Sequence, residues 1–221
     1  LRNVGAGDVT WLEAPNFPRD RALGAHRVAL TRTVYIERSD YRDEDAADYY
    51  GLAPGKTAGL RYAGYVTVVE VVRDGAGAAV ELVCDYDAGR SAAAGKVKGN
   101  LHWVAASTPG GEPATAEVRL YETLFTSEVP GETGDWEAEM CPTSEVVLPA
   151  CYIDASLAAL ATPAAAAAGA GGAVPTHFQF ERLGFFVVDK DTDAVAGRLV
   201  FNQTVSLKED TATKKVRGAG K

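Results

Sequence analysis

The stretch LRYAGYVTVVEVVRDGAGAAVELVCD, residues 60–85, carries the clearest fold signal in the sequence. Two runs rich in β-branched residues, 60–72 and 79–85, flank the turn sequence Asp74-Gly75-Ala76-Gly77. Because β-branched residues favour strands and an Asp-Gly pair favours a tight turn, this stretch predicts a β-hairpin.

Similar short runs recur on both sides of this hairpin. They alternate between apolar and polar residues or are bounded by Gly and Pro, and they lie at residues 28–38, 98–105, 115–124, 146–153, 177–189 and 199–207. Residues 40–50 and 154–161 favour short helices, and residues 136–140 favour a short helical turn. Many short strands separated by turns predict an all-β fold, and the length suits two small β-barrels better than one.

Two other segments lack strand or helix periodicity. Residues 1–27 are interrupted by Pro and Gly, which predicts an irregular segment laid over a neighbour. Residues 162–176, TPAAAAAGAGGAVPT, have low complexity and predict a surface loop. The chain begins at Leu1, which is expected of a processed form or a piece of a longer protein.

Composition excludes several classes of protein. The 221 residues are 47% hydrophobic and 24% charged, with a net charge of −8, which is typical of a globular protein and excludes a globally basic nucleic-acid binder. Nine acidic residues lie between Glu117 and Asp154, where only Arg119 opposes them. From Lys208 onward the chain is basic, which fits either a phosphate contact or a solvated, frayed tail.

Signatures of catalysis and of metal binding are missing from the sequence. It contains no phosphate-binding loop, no zinc-protease motif, no nucleophile elbow and no CxxC pair. The three histidines are far apart, and the odd number of cysteines is typical of free thiols in a reducing compartment. We therefore predict a binding module with no catalytic residue and no metal site of its own.

Seven blocks of sequence, in the same order, resemble the anticodon-binding region of glutaminyl-tRNA synthetases. The blocks are VYIERSDY (34–41), DYYGLAPGK (48–56), GLRYA (59–63), KVKGNLHWV (96–104), RLYETLF (119–125), FQFERLGFF (178–186) and LVFNQTV (199–205). Each block alone is weak, but seven in order form a specific pattern. The glutamyl enzymes share the fold, and blocks 96–104 and 178–186 are more similar to the glutaminyl branch.

The resemblance implies a particular architecture. The family has two β-barrels related to a ribosomal RNA-binding protein, with interleaved chain order. Transferred to this sequence, residues 1–27 would be a connector from the catalytic side. Residues 28–43 and 160–213 would form the proximal barrel, residues 44–159 the distal barrel, and residues 214–221 a basic tail.

The resemblance also implies RNA-binding residues. Family members hold unstacked anticodon bases in separate pockets between and on the barrels, as single-stranded RNA loops are usually read. The base-reading positions fall on Gln179 and Arg182, with Arg61 and Lys208 at further basic positions. In a straight strand, residues 179 and 182 would point to opposite faces, so a shared site requires a bend, which Gly184 permits.

Four positions, at three places in the sequence, depart from the family pattern. Tyr50 and Gly51 replace a Lys-Arg pair of bacterial members, and Tyr50 is a candidate for stacking on a base. His26, followed by Arg27, stands where an Arg is usual, and both are RNA-binding candidates. Gln203 also replaces an Arg. These changes predict weaker anticodon affinity than in members that keep the basic residues.

The resemblance also implies a longer parent enzyme, whose catalytic motifs this sequence does not contain. The His-Ile-Gly-His and Lys-Met-Ser-Lys-Ser motifs of the catalytic domain are not in this sequence, so the chain alone is not expected to activate glutamine. The implied parent enzyme joins glutamine to tRNA-Gln with ATP and Mg²⁺, and its catalytic domain is an expected partner. The expected location is the cytoplasm, with the mitochondrion as the alternative, and no membrane association is expected.

A second interpretation of the sequence stays open. The Ala-rich segment and the lost basic residues also fit a non-catalytic barrel protein reused as a structural or RNA-binding subunit of a larger assembly.

Overall fold

The computed structural model describes residues 1–91, 97–107, 111–132, 134–159, 161, 177–193 and 196–207. The chain divides into two compact units, unit 1 (residues 1–113 and 154–156) and unit 2 (residues 114–153 and 157–221). Nearly all regular structure in the described residues is β, so the predicted all-β class is confirmed.

The described residues of unit 1 contain eight strands, which form three sheets. The strands are β1 (Thr10–Pro15), β2 (Ala25–Leu30), β3 (Val34–Tyr35), β4 (Thr57–Leu60), β5 (Tyr65–Arg73), β6 (Ala79–Asp87), β7 (Asn100–Leu101) and β8 (Val104–Ala105). Strands β1 and β2 form an antiparallel hairpin, β3 pairs with β8, and the largest sheet has the order β6-β5-β4-β7. Two 3-10 turns, Arg21–Leu23 and Arg38–Asp40, separate some of these strands.

The β5–β6 hairpin forms where the sequence predicts it. The Asp74 carboxylate accepts hydrogen bonds from the backbone N–H groups of Ala76 and Ala78, each at 2.9 Å. Gly77 has φ +84°, a conformation that L side chains rarely adopt. On β5, Val66 and Val68 alternate with less buried residues, and they pack into a core that includes Leu30, Leu52, Leu60 and Leu101.

In the placed part of unit 2, five further strands form a single sheet. They are β9 (Ala114–Tyr121), β10 (Glu145–Ile153), β11 (His177–Phe180), β12 (Gly184–Val188) and β13 (Val200–Ser206), in the order β10-β9-β13-β12-β11. Its core is aromatic. Phe180 stacks on Phe186 with ring centroids 4.2 Å apart, and Phe201 meets Phe178 and Phe180 edge-on. Apart from this sheet, residues 155–159 are helical, with residues 154–156 assigned to unit 1 and 157–159 to unit 2. Asp154 caps this helix by accepting a hydrogen bond from the Ser156 N–H.

The prediction of two closed barrels is wrong for the described residues. Each of the two larger sheets has two different end strands, so neither closes on itself. Closure requires the end strands to pair with each other. In unit 2, however, β10 pairs with β9 and the four-residue β11 pairs with β12. In unit 1, β7 is only two residues long and pairs with β4 alone.

The division into units also differs from the interleaved boundaries drawn from the resemblance, 28–43 with 160–213 and 44–159. Strand β9 runs parallel to β13, with Val118 opposite Phe201, so β9 and β10 belong to the same sheet as residues 177–206. Parallel pairing joins segments distant in sequence, and no local pattern signals it. The predicted basic tail, 214–221, and the predicted loop, 162–176, lie outside the described residues.

Three local expectations are corrected as well. The first 27 residues are not wholly irregular, because residues 10–15 form β1 and pair with β2. The predicted strand 28–38 is interrupted after Leu30, where the Thr31 hydroxyl donates to the Thr33 carbonyl and turns the chain. Residues 41–50 contain no helix.

Candidate nucleic-acid interface

The turn between β11 and β12 presents Arg182 to solvent. Residues 181–183 connect the two strands, and the Leu183 N–H donates to the Phe180 carbonyl at 3.0 Å. Arg182, at the centre of this turn, has φ +69°. A positive φ is uncommon for a residue other than Gly and often marks a functional position.

Gln179 lies on the solvent-facing side of β11. Phe178 and Phe180 point toward the core of unit 2, whereas Gln179 is exposed. The expectation that residues 179 and 182 point to opposite faces assumed a continuous strand. Because β11 ends at Phe180, Arg182 belongs to the turn and strand alternation does not apply to it.

A row of exposed side chains extends from Gln179 across the sheet. Gln179 is the cross-strand partner of Phe185, and Phe185 is the partner of Val205. Directly opposed residues share a face of the sheet. Phe185 is 41% exposed and Val205 is 58% exposed. Phe185 was not among the predicted site residues, although its place in the alternating run 178–186 could have revealed it.

Gly184 allows β13 to approach this turn closely. A Cβ at Gly184 would lie 2.4 Å from the Val205 carbonyl oxygen and 3.0 Å from the side-chain amide nitrogen of Gln203. The side chain of Gln203 therefore lies beside the Arg182 turn, close to the predicted base-reading residues. The role of Gly184 is close strand packing, since it belongs to β12 and its φ is not positive.

Arg61 lies in unit 1, directly after β4. Its backbone is fixed, because its N–H donates to the Leu101 carbonyl at 2.8 Å and its carbonyl accepts from the Trp103 indole N–H at 2.9 Å. Its guanidinium lies 4.8 Å from the ring centroid of Tyr62, a residue with φ +63°. Arg61 is half-buried, and so is the Tyr62 side chain that its guanidinium covers.

Tyr50 is 57% exposed, and two glycines define its position. A Cβ at Gly51 would come within 2.2 Å of the hydroxyl of Tyr49, a buried side chain. A Cβ at Gly99 would lie 1.7 Å from the Tyr50 carbonyl oxygen. No side chain fits at residue 51, so a basic residue there would displace Tyr49. The Tyr50-Gly51 pair is thus a packing arrangement that leaves the Tyr50 ring in solvent.

His26 and Arg27 are neighbours on β2 and point to opposite faces of it. The His26 Nδ1 atom lies 2.8 Å from the Asn16 side-chain oxygen. The Arg27 guanidinium lies 4.7 Å from the ring centroid of Trp11. The two candidates are therefore not part of one contact surface. Lys208 lies outside the described residues.

The candidates are divided between the units. Gln179 and Arg182 belong to unit 2, and Arg61, Tyr50, His26 and Arg27 belong to unit 1. The units differ in charge: the described residues of unit 2 include twelve acidic residues and four Lys or Arg, whereas the described residues of unit 1 include sixteen acidic residues and twelve Lys or Arg.

Arg119 in unit 2 is enclosed by carboxylates. It lies 2.7 Å from Glu117 and 2.9 Å from Asp191, and Asp189 is 3.8 Å away. Hydrogen bonds from Arg119 lower the pKa of the Glu117 and Asp191 carboxyl groups. These contacts tie β9 to the loop after β12, so we assign Arg119 a structural role rather than an RNA contact.

The cysteines do not form a reactive site in the described residues. None of Cys84, Cys141 and Cys151 forms a disulfide within the described residues. Burial raises the pKa of the Cys84 thiol to about 11, so it is not a thiolate at neutral pH. The described part of the chain holds no cluster of His, Cys, Asp and Glu suited to a metal ion. It also contains no helix long and apolar enough to cross a membrane.

Comparison with known families matches this chain twice. Residues 1–87 match one anticodon-binding domain model of class I tRNA synthetases (E and Q), and residues 100–189 match a second model of the same description. The chain belongs to the anticodon-binding domain family of class I tRNA synthetases. Its curated relatives include the cytoplasmic glutamine–tRNA ligase of Arabidopsis thaliana, 43% identical over 95% of this chain and 25% of the relative.

Other relatives that match this anticodon-binding region are also named glutamine–tRNA ligases. A probable glutamine–tRNA ligase of Dictyostelium discoideum is 41% identical over 93% of this chain and 24% of its own length. The glutamine–tRNA ligase of Nitrobacter winogradskyi is 38% identical over the whole chain and 36% of its own length. The chain therefore spans about a quarter to a third of the length of the curated relatives it matches.

The two family matches include every described candidate of the anticodon-binding region. Tyr50, Arg61, His26 and Arg27 lie in the range of the first model, and Gln179 and Arg182 lie in the range of the second. The resemblance deduced from seven sequence blocks is confirmed at the level of the family.

Proposed function

We propose that this chain reads the anticodon loop of tRNA-Gln as the C-terminal part of a glutamine–tRNA ligase. The observation that carries this proposal is the match to glutamine–tRNA ligases along 93–100% of the chain. Single-stranded RNA loops are read by hydrogen bonds to the edges of unstacked bases and by stacking. Gln179, Arg182 and Phe185 supply an amide, a guanidinium and an exposed ring on neighbouring positions of one hairpin.

Each of these side chains has a specific role in the proposal. The Gln179 amide offers both a donor and an acceptor to a pyrimidine edge. The Arg182 fork can hold a purine edge or a phosphate through two hydrogen bonds. The acidic surroundings in unit 2 disfavour phosphate contacts elsewhere on that unit, so its RNA contact depends on this turn.

The proposed parent enzyme supplies the chemistry that this chain lacks. Its catalytic domain would bind ATP and Mg²⁺ and join glutamine to tRNA-Gln. Anticodon binding by this chain would contribute binding energy remote from the reacting atoms, which raises kcat/KM for the correct tRNA. We further propose the cytoplasm as the site of action, since the name of the Arabidopsis thaliana relative specifies it.

The test measures binding of the 221-residue chain to a tRNA-Gln anticodon stem-loop at fixed salt. Gln179→Ala and Arg182→Ala are each expected to weaken binding by about 1–3 kcal/mol. Arg198→Ala is the matched control, because Arg198 is an exposed Arg of the same unit that pairs with Glu117 outside the turn. A stem-loop of equal length with an unrelated anticodon should bind more weakly to the unmodified chain.

The outcomes of this experiment test the site assignment and the proposed function separately. If both variants bind the stem-loop as the unmodified chain does, the site assignment is wrong. If the unmodified chain does not distinguish the two stem-loops, anticodon reading itself is contradicted. In that case the chain fits better as a structural subunit of a larger assembly, which its migration in a native size measurement would reveal.

A further inference from the structure

One face of the β1–β2 hairpin carries an exposed tryptophan beneath an arginine. Trp11 is 46% exposed, and the Arg27 guanidinium carbon lies 4.7 Å from its ring centroid. Glu13 is the cross-strand partner of Arg27, and Trp11 is two residues from Glu13, so all three side chains share this face. Arg27 is thus placed over the ring although a carboxylate lies opposite it in register.

Other arginine–aromatic pairs of the described residues differ in the exposure of the ring. Arg42 lies over Tyr49, which is buried, and Arg61 lies over the half-buried Tyr62. Arg90 lies 5.7 Å from the ring of Tyr65, which is also half-buried, and donates to the Ala63 carbonyl. In these pairs the guanidinium covers a ring that the fold already encloses, whereas at Trp11 both the ring and the cation face solvent.

The charge around Trp11 favours an anionic partner. Residues 10–30 contain three arginines and two acidic residues. Within the described part of the chain, Arg27 forms no ion pair that would neutralise it. A guanidinium that lies over an indole ring can still stack on a base, and its N–H groups can donate to base edges or phosphate oxygens.

We infer that Trp11 and Arg27 form a stacking platform for an unpaired RNA base. Stacking on aromatic rings and on guanidinium planes is the usual way in which proteins hold splayed bases of RNA loops. The platform lies on the opposite face of β2 from His26, so it is a contact separate from the one expected at that residue. This inference rests on the proposed function, because the base would belong to the anticodon loop or its flank.

The test compares two half-exposed tryptophans. Trp11→Ala should weaken binding of the 221-residue chain to the tRNA-Gln anticodon stem-loop by about tenfold. Trp136→Ala is the matched control, since Trp136 is 52% exposed but lies between Asp135 and Glu137. It should change the affinity less than twofold. Trp11→Phe, which keeps a π-face, should retain most of the affinity.

Trp11→Leu separates stacking from packing, because Leu keeps apolar contacts but has no π-face. Stacking predicts that Trp11→Leu binds as weakly as Trp11→Ala, with circular dichroism and melting temperature like those of Trp11→Phe. If Trp11→Leu binds like the unmodified chain, the inference is overturned. Unchanged affinity of every Trp11 variant, combined with weaker binding of Arg182→Ala, would point to a protein covering this face and would leave the proposed function intact.

Discussion

The β1–β2 hairpin in unit 1 and the region around β10 in unit 2 both expose large apolar side chains, but in opposite electrostatic surroundings. In the hairpin, Trp11 lies against Arg27. Residues 120–153 also expose several apolar side chains, among them Trp136 and Val147, yet contain seven acidic residues and no Lys or Arg. An exposed aromatic ring therefore does not by itself mark an RNA contact, and the charge next to it decides which partner it suits.

The arginines of the two units show the same difference. Arg119 in unit 2 is held by Glu117 and Asp191, and both its charge and its hydrogen-bonding groups are occupied. Arg27 in unit 1 lies on an aromatic ring, which fixes its orientation without neutralising it. A net charge of −8 is compatible with RNA binding because the acidic residues concentrate where arginine is structural.

The largest expected effect is a loss of stability on substitution in the aromatic core that supports the Arg182 turn. Phe201→Ala should lower the free energy of unfolding by about 3–5 kcal/mol, because the fully buried ring packs against Phe178 and Phe180. Urea denaturation followed by circular dichroism measures this loss. The same variant should bind the anticodon stem-loop more weakly, since β11 and its turn lose their support.

Phe185→Ala is the control for this prediction. It removes the same side chain from the exposed face of the same sheet, and we expect a much smaller loss of stability. Equal destabilisation by the two substitutions would contradict the assignment of core and solvent faces in unit 2.

A smaller effect on stability is expected for Arg182→Gly, which separates the contribution of the backbone conformation at residue 182 from that of the Arg side chain. Arg182→Gly removes the guanidinium but suits the positive φ of the turn. We expect unchanged or slightly higher stability, by up to about 1 kcal/mol, because a residue other than Gly is strained there. Stem-loop binding should nevertheless fall as far as it does for Arg182→Ala.

Thermal melting and stem-loop titration of the same samples would sharpen the comparison between the units. If Arg182→Gly destabilises the protein, contacts of the Arg182 side chain hold the turn, and Arg182 then resembles Arg119 more than Arg27.

Much of the fold could be predicted because its signals are local. The alternation around the Asp74 turn predicted the β5–β6 hairpin. Alternation in residues 177–189 predicted β structure there, but not the turn at residues 181–183 that divides it into β11 and β12. The parallel pairing of β9 with β13 could not be predicted, since it joins residues about eighty positions apart and leaves no periodic pattern. Closed barrels were expected for the same reason: local patterns identify strands but not which strands remain at the ends of a sheet.

The candidate site was predictable in residue type but not in geometry. Gln179 and Arg182 could be named from the FQFER block, yet the positive φ of Arg182 and the end of β11 before it depend on the turn that forms. Trp11 was missed because the segment before residue 28 shows no lasting periodicity, and its pairing with Arg27 arises only when β1 meets β2.

The smallest expected effect concerns how the stability contributed by Arg119 and its carboxylate partners depends on pH. Hydrogen bonds from Arg119 lower the pKa of Glu117 and Asp191 in the folded chain. A carboxyl group with a lowered folded pKa stabilises the fold above its unfolded pKa, and this contribution is lost as the pH falls through the folded pKa. Arg119→Ala should therefore reduce stability at pH 7, and its difference from the unmodified chain should shrink below about pH 4.

Urea denaturation of the two proteins at pH 7 and at low pH tests this expectation. Arg198→Ala is the comparison, because the more exposed Arg198 pairs with Glu117 at 3.1 Å and with no other carboxylate of the placed residues, so it should show a weaker pH dependence. A destabilisation by Arg119→Ala that is the same at both pH values would mean that Arg119 acts through packing of its stem rather than through its charge. The electrostatic contrast between Arg119 and Arg27 would then fail, and with it the argument that the charge environment distinguishes structural arginines from RNA-binding ones in this chain.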